Sequence, residues 1–282
     1  MKLRLYHHHD GARVAYRELG TGPPLALLHS AMLSHKEWEP VVAHLCDRFR
    51  VVLPDLPLHG DSEDHPRYPY TLDWFAEVIS GFAADVLGSR PLIGGHHAGA
   101  EILLHAVATQ RLAPARLVLM PNRLHLPPPR RHLLTAWRTV TRAGAIPGVD
   151  RLLTHATRLL FTPDLGQRLS ARHEPAARDL LRHAFADVPG NSNLARSWAK
   201  CARRWPPTAP SQQELLEHAY PALTMPVLLL WADRDPLYPL AGAEEALRLL
   251  PNAQLRVLSS TGFLMAYDDP VGLARELAAF CG

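Results

Sequence analysis

The sequence predicts an α/β fold: a mostly parallel, doubly wound sheet interrupted by an inserted helical block. Three observations carry this. Short apolar runs bounded by turn residues alternate with amphipathic stretches from residue 24 to 121. Between about Asn122 and Ala222 only helical patterns appear. From residue 225 the alternation of apolar run and helix resumes to the end of the chain. Strands buried on both faces of a parallel sheet read as such continuous apolar runs, and the crossover helices cover them.

Each element follows from its own pattern. Two extended pieces, near 2–7 and 12–18, flank "HDG", a hairpin turn. "PLALLHS" (24–30) and "RVVLPDL" (50–56) are buried strands, with a helix at 36–47 between them. Thr71 caps a long amphipathic helix to about Leu87. "PLIGG" (91–95) is a strand, 98–110 a helix, and "ARLVLMP" (115–121) a fourth strand. Helical patterns then occupy 130–143, 149–160, 174–187, 191–204 and 211–219, separated by proline-rich breaks such as "LPPP" and "PPTAP". The strand "MPVLLLWAD" (225–233), a helix at 241–250, the strand "AQLRVLS" (253–259) and a helix at 269–280 complete the order. The division is therefore a core of 1–121 and 223–282, with a helical cap at 122–222.

Bulk properties narrow the function classes. The 282 residues are 47% hydrophobic and 20% charged, ordinary for a soluble globular protein. A net charge of +3, with basic residues scattered, gives no footprint for nucleic acid. Only Lys2, Lys36 and Lys200 are lysines; the Arg-, Ala-, Leu- and Pro-rich usage fits a GC-rich bacterial genome. Cys46, Cys201 and Cys281 are far apart and form no CxxC pair, so neither a disulfide framework nor a thiolate zinc site is indicated. The expected compartment is a reducing cytoplasm. The N-terminus lacks the apolar core of a signal peptide, and no apolar run approaches the ~18 residues of a membrane span.

Ligands of an open parallel sheet bind at the carboxyl ends of its strands. The residues there are His29-Ser30-Ala31, Asp55, His96-His97-Ala98, Asn122, Asp233 to Pro236 and Thr261 to Leu264. Taken in order, "DGARVAYRELGTGPPLALLHS", "DLPLHGDS", "GHHAG", "WADRDPLYP" and "TGFLMAYDDP" resemble the α/β-hydrolase superfamily across nearly the whole chain. The resemblance implies an α/β-hydrolase core with a cap. It places "GHHAG" (95–99) at the nucleophile elbow Gly-x-Ser-x-Gly and Asp235 at the acid position. Two departures are central: His97 stands at the family's Ser position and Phe263 at its His position.

Phe263 neither attacks a carbonyl nor accepts a proton, so the acyl-serine route is expected to be closed. His97 is expected on a strained turn, aimed into the pocket, where the N-terminus of the following helix disfavours an imidazolium. A neutral imidazole suits a general base or a hydrogen-bond donor. By the same resemblance, the backbone N–H groups of Ala31 and Ala98 form the oxyanion site. Asp235 is expected to orient His97 or to act as acid or base itself. Ser30, Met32, His96, Asn122, Phe263 and Leu264 are expected around the pocket, His96 as a packing residue and Phe263 as apolar wall. Asp55 and His59 shape the loop after the second core strand. The "HHH" at 7–9 is expected to be plain surface, with no carboxylate pattern around it.

Of the cap residues Trp137, Phe161, Phe185, Trp198 and Trp205, most are expected in the cap's own core and some in a lid over the pocket, which implies an apolar organic ligand partly closed from water. The leading reading is a small-molecule enzyme of bacterial specialised metabolism. It would carry out cyclisation, elimination, decarboxylation or isomerisation of an apolar carbonyl compound through His97 and Asp235. Hydrolysis through His97 or activated water, an inactive ligand-binding homologue, and an engineered triad variant stay open. No cofactor, metal, nucleic acid or membrane is expected; a homodimer is left open.

Overall fold

In the computed structural model, residues 1–123, 125, 131–146, 148–149, 152–153, 163–184, 192–205 and 217–282 are described. Eight strands form one sheet: β1 (Lys2–His7), β2 (Arg13–Leu19), β3 (Pro24–Leu28), β4 (Arg50–Pro54), β5 (Leu92–Gly95), β6 (Arg116–Leu119), β7 (Val227–Ala232) and β8 (Ala253–Leu258). Their order is β1-β2-β4-β3-β5-β6-β7-β8. β1–β2 and β2–β4 pair antiparallel; the other pairs are parallel. The mostly parallel α/β-hydrolase sheet read from the sequence is the observed one.

The apolar runs work as two-faced strands. Leu25 and Leu27 of β3 join one core cluster and Ala26 and Leu28 the other; in β7, Leu228 and Leu230 divide the same way from Leu229 and Trp231. Each fully buried Leu contributes about 1.5–3 kcal/mol of transfer free energy. One face is covered by α2 (Leu72–Val86) and α3 (Ala98–Ala108), the other by α1 (Glu39–Leu45) and the C-terminal α10 (Pro270–Cys281). The Thr71 hydroxyl caps α2 by accepting from Trp74 N at 3.2 Å.

The expected helix at 36–47 is two pieces. A 3₁₀ turn spans His35–Trp38, and α1 begins at Glu39 with Pro40 in its first turn. Proline has no N–H to give and its fixed φ suits only a helix start, so the α-helix opens there.

Between β6 and β7 the described elements are all helical: α4 (Arg131–Ala143), α5 (Pro163–Leu169), α6 (Pro175–Ala184) and α7 (Ser192–Arg204). Most of the helix read at 149–160, most of that at 211–219, and Phe161 and Phe185 lie outside the described residues. After β7 come α8 (Leu240–Leu249) and the short α9 (Met265–Asp268). The carboxylate of Asp268, 1% exposed, binds the α5–α6 junction to the loop before α9. It accepts from Ser170 Oγ (2.5 Å), Ala171 N (2.9 Å), Arg172 N (3.2 Å) and Gly262 N (2.7 Å).

Candidate active site

Strand register builds the site. Leu28, Gly95 and Leu119 are paired neighbours at the carboxyl ends of β3, β5 and β6. The residues that follow therefore emerge side by side. His96 N donates to Leu28 O at 3.0 Å and His97 N to Pro121 O at 2.9 Å, locking the turn to both neighbours.

His97 has φ 47° and ψ −110°, a left-handed conformation costing about 1–3 kcal/mol for a residue with a Cβ. Two glycines make the turn possible. A Cβ on Gly95 would fall 2.5 Å from the Gly99 carbonyl carbon, and one on Gly99 would fall 2.6 Å from Leu28 Cβ. α3 starts at the next residue, Ala98. Among the described residues, the N–H groups of Ala98 and Ala31 have no hydrogen-bond partner, the arrangement that an oxyanion site needs. Met32, half-buried at φ 70°, turns the chain away just beyond Ala31.

His97 Nδ1 is buried and unpartnered. Desolvation comes first among the causes that push its pKa well below the ordinary value; Arg123, His96 and His59 push the same way. The ring is therefore neutral at neutral pH. It stands 5.4 Å from the Tyr238 ring and 6.0 Å from that of Phe263, centroid to centroid.

The expected pairing of Asp235 with His97 is not what the structure holds. Asp235 Oδ1 accepts from Leu237 N (2.7 Å) and Tyr238 N (3.0 Å), while Oδ2 is buried without a partner. Those two N–H groups tie the carboxylate to its own turn, and no ion pair or hydrogen bond joins it to His97 among the described residues. Burial raises its pKa; the two N–H bonds and the nearby His96 pull the other way without cancelling it.

His96 is not a plain packing residue, and Ser30 does not line an open pocket. Both are essentially unexposed and converge on Glu37. Glu37 Oε1 lies 2.5 Å from His96 Nδ1 and 2.9 Å from Ser30 Oγ, and Oε2 accepts from Ser30 N at 2.6 Å. Ser30 Oγ is 2.8 Å from the same Nδ1. Serine and carboxylate thus meet one ring nitrogen rather than opposite ones, so this trio is not a displaced Ser-His-acid relay. His96 Nε2 is left buried and unpartnered.

The other expected pocket residues divide. Phe263, 5% exposed, sits in an apolar cluster with Leu33, Leu169, Tyr238 and Leu264. Leu264, 0% exposed, lies behind it in the same cluster, not on an open surface. Asn122 is buried and donates from Nδ2 to Met120 O at 2.9 Å. Asp55 shapes its loop as expected, accepting from His35 N (2.7 Å) and Asp61 N (3.0 Å). His59 does more than shape that loop. Its Nδ1 bonds Pro57 O at 3.0 Å, its Nε2 is buried and unpartnered, and its ring meets Trp198 of α7 at 4.8 Å. Desolvation, then His29, drive its pKa down to about 3.

Sequence reasoning missed Glu37 and the pair Glu101–Arg123. Arg123 donates from Nε (2.6 Å) and Nη2 (2.5 Å) to the two oxygens of Glu101, in the first turn of α3. Arg123 directly follows Asn122 at a strand end, a positional signal for it. Glu37 carries none, because its partner His96 is 59 residues away.

Comparison with known proteins decides the family. A family model described as the α/β hydrolase fold matches residues 23–270. The chain belongs to the α/β hydrolase fold family. Among relatives in that family, an uncharacterized protein of Mycobacterium tuberculosis is 25% identical over 278 residues, 96% of this chain and 77% of that protein. An uncharacterized hydrolase of Bacillus subtilis is 22% identical over 274 residues, 96% and 95% of the two chains. An α/β hydrolase fold protein from Burkholderia ambifaria superposes with TM-score 0.80 at 22% identity, covering 98% of this chain and 97% of that one. A thermophilic esterase from Thermogutta terrifontis gives TM-score 0.76 at 21% identity, covering 100% and 98%.

Proposed function

We propose that this α/β-hydrolase-fold protein is a small-molecule enzyme that moves a proton beside a carbonyl group, without a covalent serine step. The reaction class is isomerisation, elimination, decarboxylation or cyclisation of an apolar carbonyl compound, in bacterial specialised metabolism. The observation that carries the reading is the buried, unpartnered Oδ2 of Asp235, whose pKa burial raises. A carboxylate with one oxygen buried and bound by no donor is a stronger base for a carbon acid than one in water.

The division of labour follows from the hydrogen bonds. Nothing accepts from Nδ1 of His97, so no group enforces the tautomer with a bare Nε2 that a base requires. A buried donor without an acceptor costs more than a bare acceptor. This favours Nε2–H, a donor toward the carbonyl oxygen beside the N–H groups of Ala31 and Ala98. Asp235 Oδ2 takes the proton from carbon and returns it. Phe263, Tyr238 and the helical cap hold the apolar body of the substrate.

The test is deuterium wash-in from D₂O at the carbon next to the carbonyl of apolar ketones and thioesters, followed by mass spectrometry. Wild type is expected to exchange one such panel member. Asp235→Asn is expected to lose at least 10³-fold, and His97→Ala 10²–10³-fold, as for an oxyanion donor. Undiminished exchange in Asp235→Asn overturns the assignment of the base.

A second reading rests on relatives of the chain, which include an uncharacterized hydrolase of Bacillus subtilis and a soluble epoxide hydrolase of Corynebacterium. Hydrolysis would then run through water or an acyl-imidazole on His97, and an acyl group trapped on His97 is its signature.

A further inference from the structure

We infer that the N-terminal hairpin turn and helix α2 form a binding site for a divalent transition metal of the zinc class, held by His8, His9 and Glu77. One ring nitrogen of each histidine and one carboxylate oxygen of Glu77 all lie within 4.8 Å of one another. His9 Nε2 is 3.5 Å from Glu77 Oε1, and the two imidazole rings are 4.0 Å apart, centroid to centroid.

The site is built rather than accidental. After β1 the chain reverses at Gly11 (φ 91°), closed by His8 N to Ala12 O at 2.8 Å and Gly11 N to His8 O at 2.9 Å. Asp10 fixes both the turn and the ring of His8. Its Oδ1 lies 2.8 Å from His8 Nδ1 and accepts from Ala12 N at 2.9 Å; its Oδ2 accepts from Trp74 Nε1 at 2.7 Å. A carboxylate on one nitrogen of an imidazole orients the ring and raises the basicity of the other, the usual support of a metal-bound histidine.

The receiving face of α2 is Trp74, Glu77 and Gly81, at helical spacing. A Cβ on Gly81 would fall 2.4 Å from Tyr6 Oη and 3.5 Å from His8 Cδ2. The Cδ2–Nε2 edge of His8 therefore faces α2, the side Glu77 is on, with Nδ1 turned to Asp10. His8 is buried, while the side chains of His9 and Glu77 are 73% and 44% exposed. One ligand is preset and two are free to close by up to about 1.5 Å, to the ~3.3 Å separation of atoms on a common ion with bonds near 2.0–2.1 Å. Two imidazoles and one carboxylate suit Zn²⁺ and its neighbours, not Ca²⁺ or Mg²⁺. The fourth position faces solvent, and the ion would staple β1–β2 to α2, apart from the candidate active site.

The alternative is unspecific chelation by the run His7-His8-His9. Titration of the full-length protein with Zn²⁺ by calorimetry separates the two. One equivalent is expected to bind, with a rise in Tm. His9→Ala and Glu77→Gln, both on exposed side chains, are each expected to weaken binding at least tenfold, and Asp10→Asn 10- to 100-fold. His7→Ala is expected to bind as wild type. Unchanged affinity in Glu77→Gln, or equal loss in His7→Ala and His9→Ala, overturns the site.

Discussion

The imidazole of His96 lies against the ring of Phe263, their centroids 4.4 Å apart and tilted by 40°. By resemblance, Phe263 holds the place of a catalytic histidine. Nε2, the nitrogen of His96 that Glu37 does not bind, is buried without a hydrogen-bond partner.

Restoring the family's residues tests that placement. Phe263→His alone sets a polar ring among Leu33, Leu169 and Leu264 and should cost about 1–3 kcal/mol in urea unfolding. It should not hydrolyse p-nitrophenyl esters. His97→Ser with Phe263→His should do so measurably above either single change. Ester turnover by Phe263→His alone would instead mark His97 as a nucleophile.

Acid should destabilise the fold earlier than carboxylates alone would cause. His97, His59 and His29 all have folded pKa values below the ordinary one, desolvation being the largest cause, with His59 near 3. The unfolded chain binds their protons below about pH 6.5 and the folded protein does not, so stability is full above that pH and falls as pH drops. At pH 5 His59, with its pKa near 3, costs about 2 kcal/mol. His59→Gln should reduce the slope of unfolding free energy between pH 6.5 and 5 by about one proton. An unchanged slope would show that His59 titrates normally.

The Glu101–Arg123 pair should be worth more broken than replaced. Glu101→Gln leaves a guanidinium largely enclosed with no counter-charge, and about 3 kcal/mol should be lost. The double change to methionine should recover most of it. A double-mutant cycle in urea reads both numbers, and strict additivity would refute the coupling.

Asp268→Ala removes the acceptor for four donors spanning residues 170–172 and 262. Stability should drop by at least about 2 kcal/mol, and limited proteolysis should cut faster near residue 170. Equal cutting rates in both proteins would mean that the junction is held elsewhere.

Most of the fold was readable because its signals are local. The runs at 25–28 and 227–232 announce two-faced strands, and Gly95 with Gly99 announces a tight turn. The 3₁₀ piece at His35–Trp38 was missed although Pro40 signals the break. The site was half legible. The position of His97 comes from its neighbours in sequence, but the detachment of Asp235 from it depends on which N–H groups fold back onto a carboxylate. Glu37 was invisible because nothing within a few residues shows that a glutamate next to Trp38 will be buried against an imidazole from another strand. Asp268 lies within "TGFLMAYDDP", but nothing in that stretch marks it as a clamp on a distant helix junction.

The close approach of Gly99 to Leu28, and of Gly95 to Gly99, involves no atom of the side chain at position 97. The turn is a mounting whose shape is indifferent to the tool it carries. Its occupant can be exchanged with little penalty to folding, so chemistry at this point of the molecule is open to change while the architecture around it stays the same.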